Sequence, residues 1–581
     1  MSRSSSPISS LPTPLNVDAL SRLPQDAQAA PPVRAPLRRD LLKAAAMGAS
    51  ASVLAHQGLG QAHAATPNDA LVIAREISSI AEWDPAVSQI LDTQEINGDL
   101  YDRLIGFDPR KPGGELGPML AESWTSTPDN TQFVFRIRRG VKFHSGNPLT
   151  AHDVAYTFKR VVGLDREPAT NLLQIGITKA NVDMAVRAMD DVNLVLTLQE
   201  VFAPSYILGL LSSNYLGVVD SKLLQSHEQN GDFGSRWLSR RTGQEMSAGS
   251  GPFRITTYRA SDLLVLERNE TYWRFKPPMR RVIFRHIPES GAQRLLLERG
   301  DADLAFNLTT QDIDALGGRT GVKVESFPSR RVLYFGFNML HKPFADVRVR
   351  KAMKYLIDYE GWESTLMKGL GRVHQTFIPS GNLGVATEKP FSYDIARAKA
   401  LLAEAGLANG LTFRLHVANR RPETDMATAF QASAAQAGVK VDVVTMPASQ
   451  LIPMYRERKT EALMLSFYGP YGDPHATANK FAFNPGALPG ADPNKAYPAE
   501  LTWRLGWAPT DLSLKVIAAS KQIDAKKRAQ MYLEIQKIYW DQSPFAQTFQ
   551  AIQAIGMRSN VTNYRYGNRG ADTSFSFTSK R

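Results

Sequence analysis

The chain has 581 residues, 43% hydrophobic and 21% charged, with a formal charge of +12 and no cysteine. That length exceeds what one hydrophobic core sustains and suits two or three lobes, while the missing cysteines exclude disulfide staples, thiolate-held metals and a lipidated-cysteine anchor. Lys and Arg are scattered among Asp and Glu and no nucleic-acid motif is present, so the charge reads as a solvated surface biased toward acidic ligands or membranes, with no nucleic-acid partner.

In chain order the first signal is Arg38-Arg39-Asp40-Leu41-Leu42-Lys43, then an Ala-rich apolar run to Ala55 and the small-x-small triplet Ala62-His63-Ala64. Paired arginines, a short apolar segment and a cleavage site make an export signal of twin-arginine form. The run covers roughly 15 residues where a spanning helix needs about 20, so it engages a translocon without serving as a durable anchor. Residues 1–64 are therefore expected to be a leader cleaved after Ala64, and the mature chain to work in the periplasm.

Phe133 to Ile137 is strongly β-prone and is broken at Gly140; a helix is expected from Ala151 to Val162 with Thr150 as its cap; Asn193 to Leu198 alternates as a strand does. These form a small strand-rich subdomain. Val282 to Ile287 reads as a strand, Ser290 to Leu297 as a helix and Asp303 to Leu308 as the next strand. Asp394 caps a helix whose apolar positions Ile395, Ala398, Leu401, Leu402 and Ala405 share one face, ended by Gly406. Leu411 to Val417 alternates, a helix from Thr424 to Gln436 follows, Val439 to Val443 alternates again, a helix starts near Ser449, and Leu463 to Phe467 is a short apolar strand. Strand and helix in alternation predict α/β lobes with mostly parallel sheets, and two such units far apart in sequence predict two lobes with a ligand cleft between them.

Signatures of catalysis are missing. Ala248-Gly249-Ser250-Gly251 fails the nucleophile-elbow pattern at its first position, His227-Glu228 lacks a second histidine one turn on, and Gly369-Leu370-Gly371 lacks the third glycine of a dinucleotide loop. No catalytic residue, metal site or cofactor is expected. An exported, two-lobed, non-catalytic protein is most simply a carrier or receptor. A secreted hydrolase using carboxylates across the cleft is the distant alternative.

Several motifs then resemble those of the extracellular solute-binding proteins of family 5, the periplasmic oligopeptide, dipeptide and nickel binders of ABC importers. They are Leu120-Ala121-Glu122-Ser123-Trp124; the run from Phe133 to Gly146; Leu149 to Val154; Gly249-Ser250-Gly251-Pro252-Phe253; Glu267 to Trp273; Phe337-Asn338 with Pro343 to Arg350; Ser392 to Gly406; and Ser543-Pro544-Phe545. The resemblance implies a class C periplasmic-binding fold of α/β type. Lobe I would comprise 65–107, 215–328 and 549–581, with an insertion subdomain at 108–214, and lobe II 329–548. It further implies a monomer that closes on a peptide or peptide-like solute and delivers it to a membrane permease.

In peptide-binding members an aspartate after the strand matching Leu463 to Phe467 pairs with the peptide's amino terminus; here Pro470 takes its place, with no charge and no donor. The same fold binding a glycoside, an opine or a chelated metal is consequently the alternative. Asp473, three residues on, is either a substitute anchor or part of a structural Asp-Pro turn. Phe467, Tyr468 and Tyr471 are candidates for an aromatic wall, Phe467 being equally a core residue. Ser78 and Ser79 resemble the family's ligand-facing backbone edge. Arg420 and Arg421 either clamp a carboxylate or are solvated loop charges. Ser250 and Asn338 read as structural.

Overall fold

The computed structural model describes residues 66–581, apart from 81, 89, 108–115, 240–246 and 568–574; the expected export leader lies outside the described residues. The fold is two-lobed α/β, and its backbone is a single 11-stranded sheet. From one edge the strands run Val439–Met446, Leu411–Ala418, Ala462–Tyr468, Val322–Phe337, Phe545–Arg558, Leu304–Ala305, Ala70–Arg75, Arg281–His286, Leu263–Arg268 and Phe253–Arg259, with the short Gly371–Val373 paired beside Phe545–Arg558. The 16-residue Val322–Phe337 and the 14-residue Phe545–Arg558 pair antiparallel along most of their lengths and carry the sheet from one lobe into the other.

In the first lobe Ala70–Arg75, buried along its whole length, runs parallel to Arg281–His286 and Leu304–Ala305. Helix Ser290–Arg299 connects the last two as the periodicity predicts. The strand expected over 303–308 shrinks to Leu304–Ala305. Its later amides are diverted: Phe306 N and Asn307 N both donate to the Gln293 side-chain carbonyl, at 3.2 and 3.0 Å, instead of entering the ladder.

In the second lobe the Asp394 carboxylate accepts Arg397 N at 2.8 Å at the start of helix Ile395–Glu404, which buries Ala398, Leu401 and Leu402. Gly406 follows at φ +78°. Leu411–Ala418 lies parallel to both Val439–Met446 and Ala462–Tyr468, with helices Glu423–Gln436 and Ala448–Arg456 between them in sequence. These strands are parallel as predicted. The two crossing strands pair antiparallel with their neighbours, so the whole sheet is mixed.

The strand-rich segment forms its own antiparallel sheet of Ala121–Ser126, Gln132–Ile137, Asn193–Thr197 and Val186–Ala188. Phe133, Phe135 and Ile137 point into a separate core while Val134 and Arg136 are exposed, the expected alternation. Helix Ala151–Leu164 covers that core with Val154, Phe158, Val161 and Val162. Its start is fixed by Asp153, whose carboxylate accepts the Thr150 amide at 2.8 Å and hydroxyl at 3.0 Å.

Gly249 and Gly251 let the chain entering strand Phe253–Arg259 pass close against the end of helix Leu91–Leu100 within the first lobe. A Cβ on Gly249 would lie 2.0 Å from Leu100 O, and one on Gly251 2.4 Å from Asp99 O, contacts with backbone that has no room to yield. Gly249→Ala should therefore cost about 3 kcal/mol in urea unfolding, whereas Gly117→Ala, whose Cβ would meet nothing within 4 Å, should leave the midpoint unchanged.

Candidate functional site

Two groups of charge of opposite sign face each other where the lobes meet. On the first lobe the chain leaves strand Ala70–Arg75 through Glu76 and Ser79 toward helix Leu91–Leu100. Arg75, buried at the strand end, ion-pairs with Asp92 at 2.6 Å and Glu95 at 2.8 Å, and lies 4.6 Å over the Phe306 ring. Burial opposes its charge, but Glu95 and Asp92 outweigh burial and raise its pKa. Ser79 donates its hydroxyl to Asp92 at 2.9 Å. Ser78 is exposed, its amide turned onto the Glu76 carboxylate.

The second lobe answers with arginine. Glu423, at the first turn of helix Glu423–Gln436, has a fully buried side chain and shares one oxygen between two guanidiniums, Arg420 at 2.6 Å and Arg331 on the crossing strand. Ser466 ties the group together, accepting Arg331 Nε at 2.8 Å and Arg420 Nη2 at 3.0 Å and donating to Glu423 at 3.1 Å. Burial pushes the Glu423 pKa up, yet Arg331 and Arg420 pull it down to about 2. Arg331 moves downward because burial and the charge of Arg420 outweigh Glu423. Arg420 moves upward, held by Glu423 first and also by Asp92 and Glu76 of the opposite lobe. Its side chain is 54% exposed although protein surrounds it, as befits a group lining a recess. Two cations on one carboxylate leave the second lobe's wall a positive charge in excess.

Beside this lies a narrow gap of about 50 Å³ between Leu91, Gln94, Ser213, Asn214 and Tyr215 on one side and Tyr468 and Pro470 on the other. Gln94 donates Nε2 to Ser88 O at 2.7 Å, which fixes the amide orientation, and its Oε1 is buried with no hydrogen-bond partner among the described residues.

The candidate residues named from sequence separate into two sets. Ser78, Ser79, Arg420 and Tyr468 come together around the cleft. Phe467 packs edge-on against Phe481 at 5.4 Å, on the margin of the second lobe's core. Arg421 turns toward its own helix: its side chain is 70% exposed and 3.5 Å from Asp425 one helical turn on. Tyr471 is no cleft wall, since it is buried in the core of the strand-rich subdomain, 5.9 Å from the Tyr206 ring. Asp473 does not replace the carboxylate missing at Pro470. Both its oxygens are taken by Arg528, at 2.6 and 2.7 Å, with side chains 1% and 2% exposed, and it also accepts His475 N at 2.9 Å.

Sequence reasoning missed Asp92, Gln94, Arg331, Glu423 and Ser466. One signal was available: the charged pair Arg330-Arg331 directly precedes the buried apolar stretch Val332 to Phe337 of the same strand. Nothing in a single sequence marks Gln94 or Ser466.

The comparisons with known proteins follow this geometry. Residues 115–488 match the sequence model of the bacterial extracellular solute-binding proteins, family 5. The chain belongs to that family. It is 27% identical over 508 residues, 87% of this chain and 92% of the relative, to a probable D,D-dipeptide-binding periplasmic protein of Escherichia coli. It is 26% identical to a dipeptide-binding protein of Pseudomonas aeruginosa, over 80% and 87% of the two chains. Among solved structures, the periplasmic binding protein DppA of Helicobacter pylori in complex with the peptide STSA superposes with a TM-score of 0.76 at 22% identity, covering 88% and 98% of the chains. The binding protein AgaA of A. tumefaciens R10 in complex with agropinic acid gives 0.73 at 20%, covering 88% and 99%. Members of the family are solute-binding proteins, and this chain is one of them rather than an enzyme.

Because Glu423 is held near pKa 2 in the fold and near 4.5 in the unfolded chain, its stabilisation is present above pH 4.5 and is lost as pH falls toward 2, about 3 kcal/mol in all. Urea unfolding of Glu423→Gln from pH 6 to pH 2.5 should show a shallower acid loss than the parent. Arg528→Leu should lower stability by about 3 to 5 kcal/mol at pH 7, since it strands the buried Asp473 carboxylate.

Proposed function

We propose that this protein is the periplasmic component of an ABC importer and captures a peptide or peptide-like solute with free termini. The observation that carries this reading is the opposition of charge across the cleft. A solute's amino group meets Asp92 and Glu76 and the unpartnered Gln94 carbonyl oxygen; its carboxylate meets Arg420, whose excess positive charge Glu423 does not cancel. Anchoring the amine on the first lobe explains how the second lobe dispenses with an aspartate at Pro470. A ligand bonded at one end to each lobe favours the closed form, which is the form a permease recognises. Export through the twin-arginine route is supported by Arg38 and Arg39 and the run that follows them. The lobe boundaries proposed are those given above, with the insertion at 108–214, and the protein acts as a monomer.

A second reading, an opine, a glycoside or a chelated metal as solute, is favoured by one feature only, the absence of a charged group at Pro470. Among the described residues no group of three His, Cys, Asp or Glu is placed to hold a bare metal ion, so a metal would arrive with its own chelator.

Isothermal titration calorimetry with alanyl-alanine, its C-terminal amide and its N-acetyl form tests the assignment. The free dipeptide should bind, both blocked forms should bind at least about tenfold more weakly, and Arg420→Ala should abolish the difference between free acid and amide. Equal affinity for all three, or retention of an opine or sugar in mass spectra of the purified protein, would overturn the peptide reading.

A further inference from the structure

A second recess shares no lining residue with the cleft gap. It is lined by Pro118, Arg138, Arg139, Gly140, Trp273 and Arg274 and is a largely open depression of about 540 Å³, within the volume range of small-molecule sites. Its residues come from the edge of the strand-rich subdomain and from the loop after Leu263–Arg268. That strand is next to the last at the edge of the large sheet opposite the second lobe's strands, so nothing here is shared with the charge-opposed cleft.

The floor is built rather than incidental. Asp102, 1% exposed, accepts Trp273 Nε1 at 2.9 Å, the Tyr272 hydroxyl at 3.0 Å and the Ser250 hydroxyl at 2.9 Å. Three donors on one buried carboxylate hold the indole in one orientation. The Arg138 guanidinium then lies 4.9 Å over the Trp273 ring, and that of Arg274 5.8 Å from it. Gly140 turns at φ +78° and leaves open space where a side chain would stand.

The three arginines have no counter-charge of their own. None forms an ion pair among the described residues. The hydrogen bond of Arg138 is a long one, Nε to Met119 O at 3.4 Å, which leaves its two terminal nitrogens for something else. Two acids feel these charges and both are already engaged: Asp102 with three donors, and Asp190 with Asn193 and the Val192 amide. Three like charges around one recess repel each other, and an anion bridging them relieves that repulsion with charge-assisted hydrogen bonds.

We infer that this recess is a second binding site, selective for a small polyanion: a phosphorylated or polycarboxylate solute whose oxyanion is gripped by Arg138, Arg139 and Arg274 over the face of Trp273.

Calorimetric titration of the mature chain at low salt with inorganic phosphate, pyrophosphate and citrate tests this. One-to-one binding is expected, tightest for the most highly charged probe and weakening with added sodium chloride. The double variant Arg139→Ala/Arg274→Ala, the first exposed, the second half-buried and neither in an ion pair among the described residues, should keep the parent's melting temperature and weaken pyrophosphate at least about tenfold. The same variant should bind the cleft solute as the parent does, so failure here and failure of the peptide reading are told apart. Absence of heat with all three anions, or equal affinity of parent and variant, would overturn the site. So would binding confined to vesicles of anionic phospholipid, which would mean a membrane-contact patch instead. Arg139→Lys/Arg274→Lys, which keeps charge and loses the planar fork, should fall between parent and alanine variant.

Discussion

Two long strands carry the sheet from one lobe to the other, and their pairing is irregular at one place. Val322–Phe337 and Phe545–Arg558 stay in register from Val322 to Pro328, slip before Val332, and slip again after Leu333. Gln550 spans the first slip, donating its amide to Ser329 O at 2.8 Å and accepting Ser380 N at 2.8 Å. A ladder is stiff where it is regular and bends where a bulge interrupts it. The cores on either side of this place are separate clusters, the arrangement a hinge between two lobes requires.

The slip also sets the chemistry of the cleft. Arg331 lies within it and reaches Glu423 and Ser466, so the strand that bends is also the strand that supplies half of the positive wall. Sharing one carboxylate between two arginines holds both guanidiniums in place while leaving a charge unneutralised, a cheap arrangement only because a ligand or the acidic rim of the other lobe completes it. The strand-rich subdomain is bound to the second lobe as well, through Ala203 N to Ser520 O at 2.9 Å, Lys521 with Glu200 at 2.8 Å, and Ser205 beside the Arg528–Asp473 pair.

Local elements were legible wherever one principle ruled. The helix at Ile395–Glu404 had a cap, a periodic face and a terminating glycine, and strands at Gln132–Ile137 and Leu411–Ala418 had clean alternation. The strand at 303–308 was over-read because a side chain, Gln293, captured amides that the apolar pattern had assigned to a ladder. Within the site, the place of Arg420 past a strand was legible, but not that it would share the buried Glu423 carboxylate with Arg331. Arg421 was its indistinguishable neighbour until the helix start turned it toward Asp425. Asp473 and Tyr471 were misjudged for one reason: their partners, Arg528 and Tyr206, lie 55 and 265 residues away in the chain, and no local pattern announces a buried pair formed over such separations.

Hinged capture is open to a direct physical check by small-angle X-ray scattering on the mature chain, freed of retained solute and then saturated with the dipeptide that binds it best. A radius of gyration that falls on saturation, with little change for a variant carrying Arg420→Ala at the same dipeptide concentration, is the expected result. Superimposable curves for the free and saturated parent protein would contradict closure of two lobes on a shared solute.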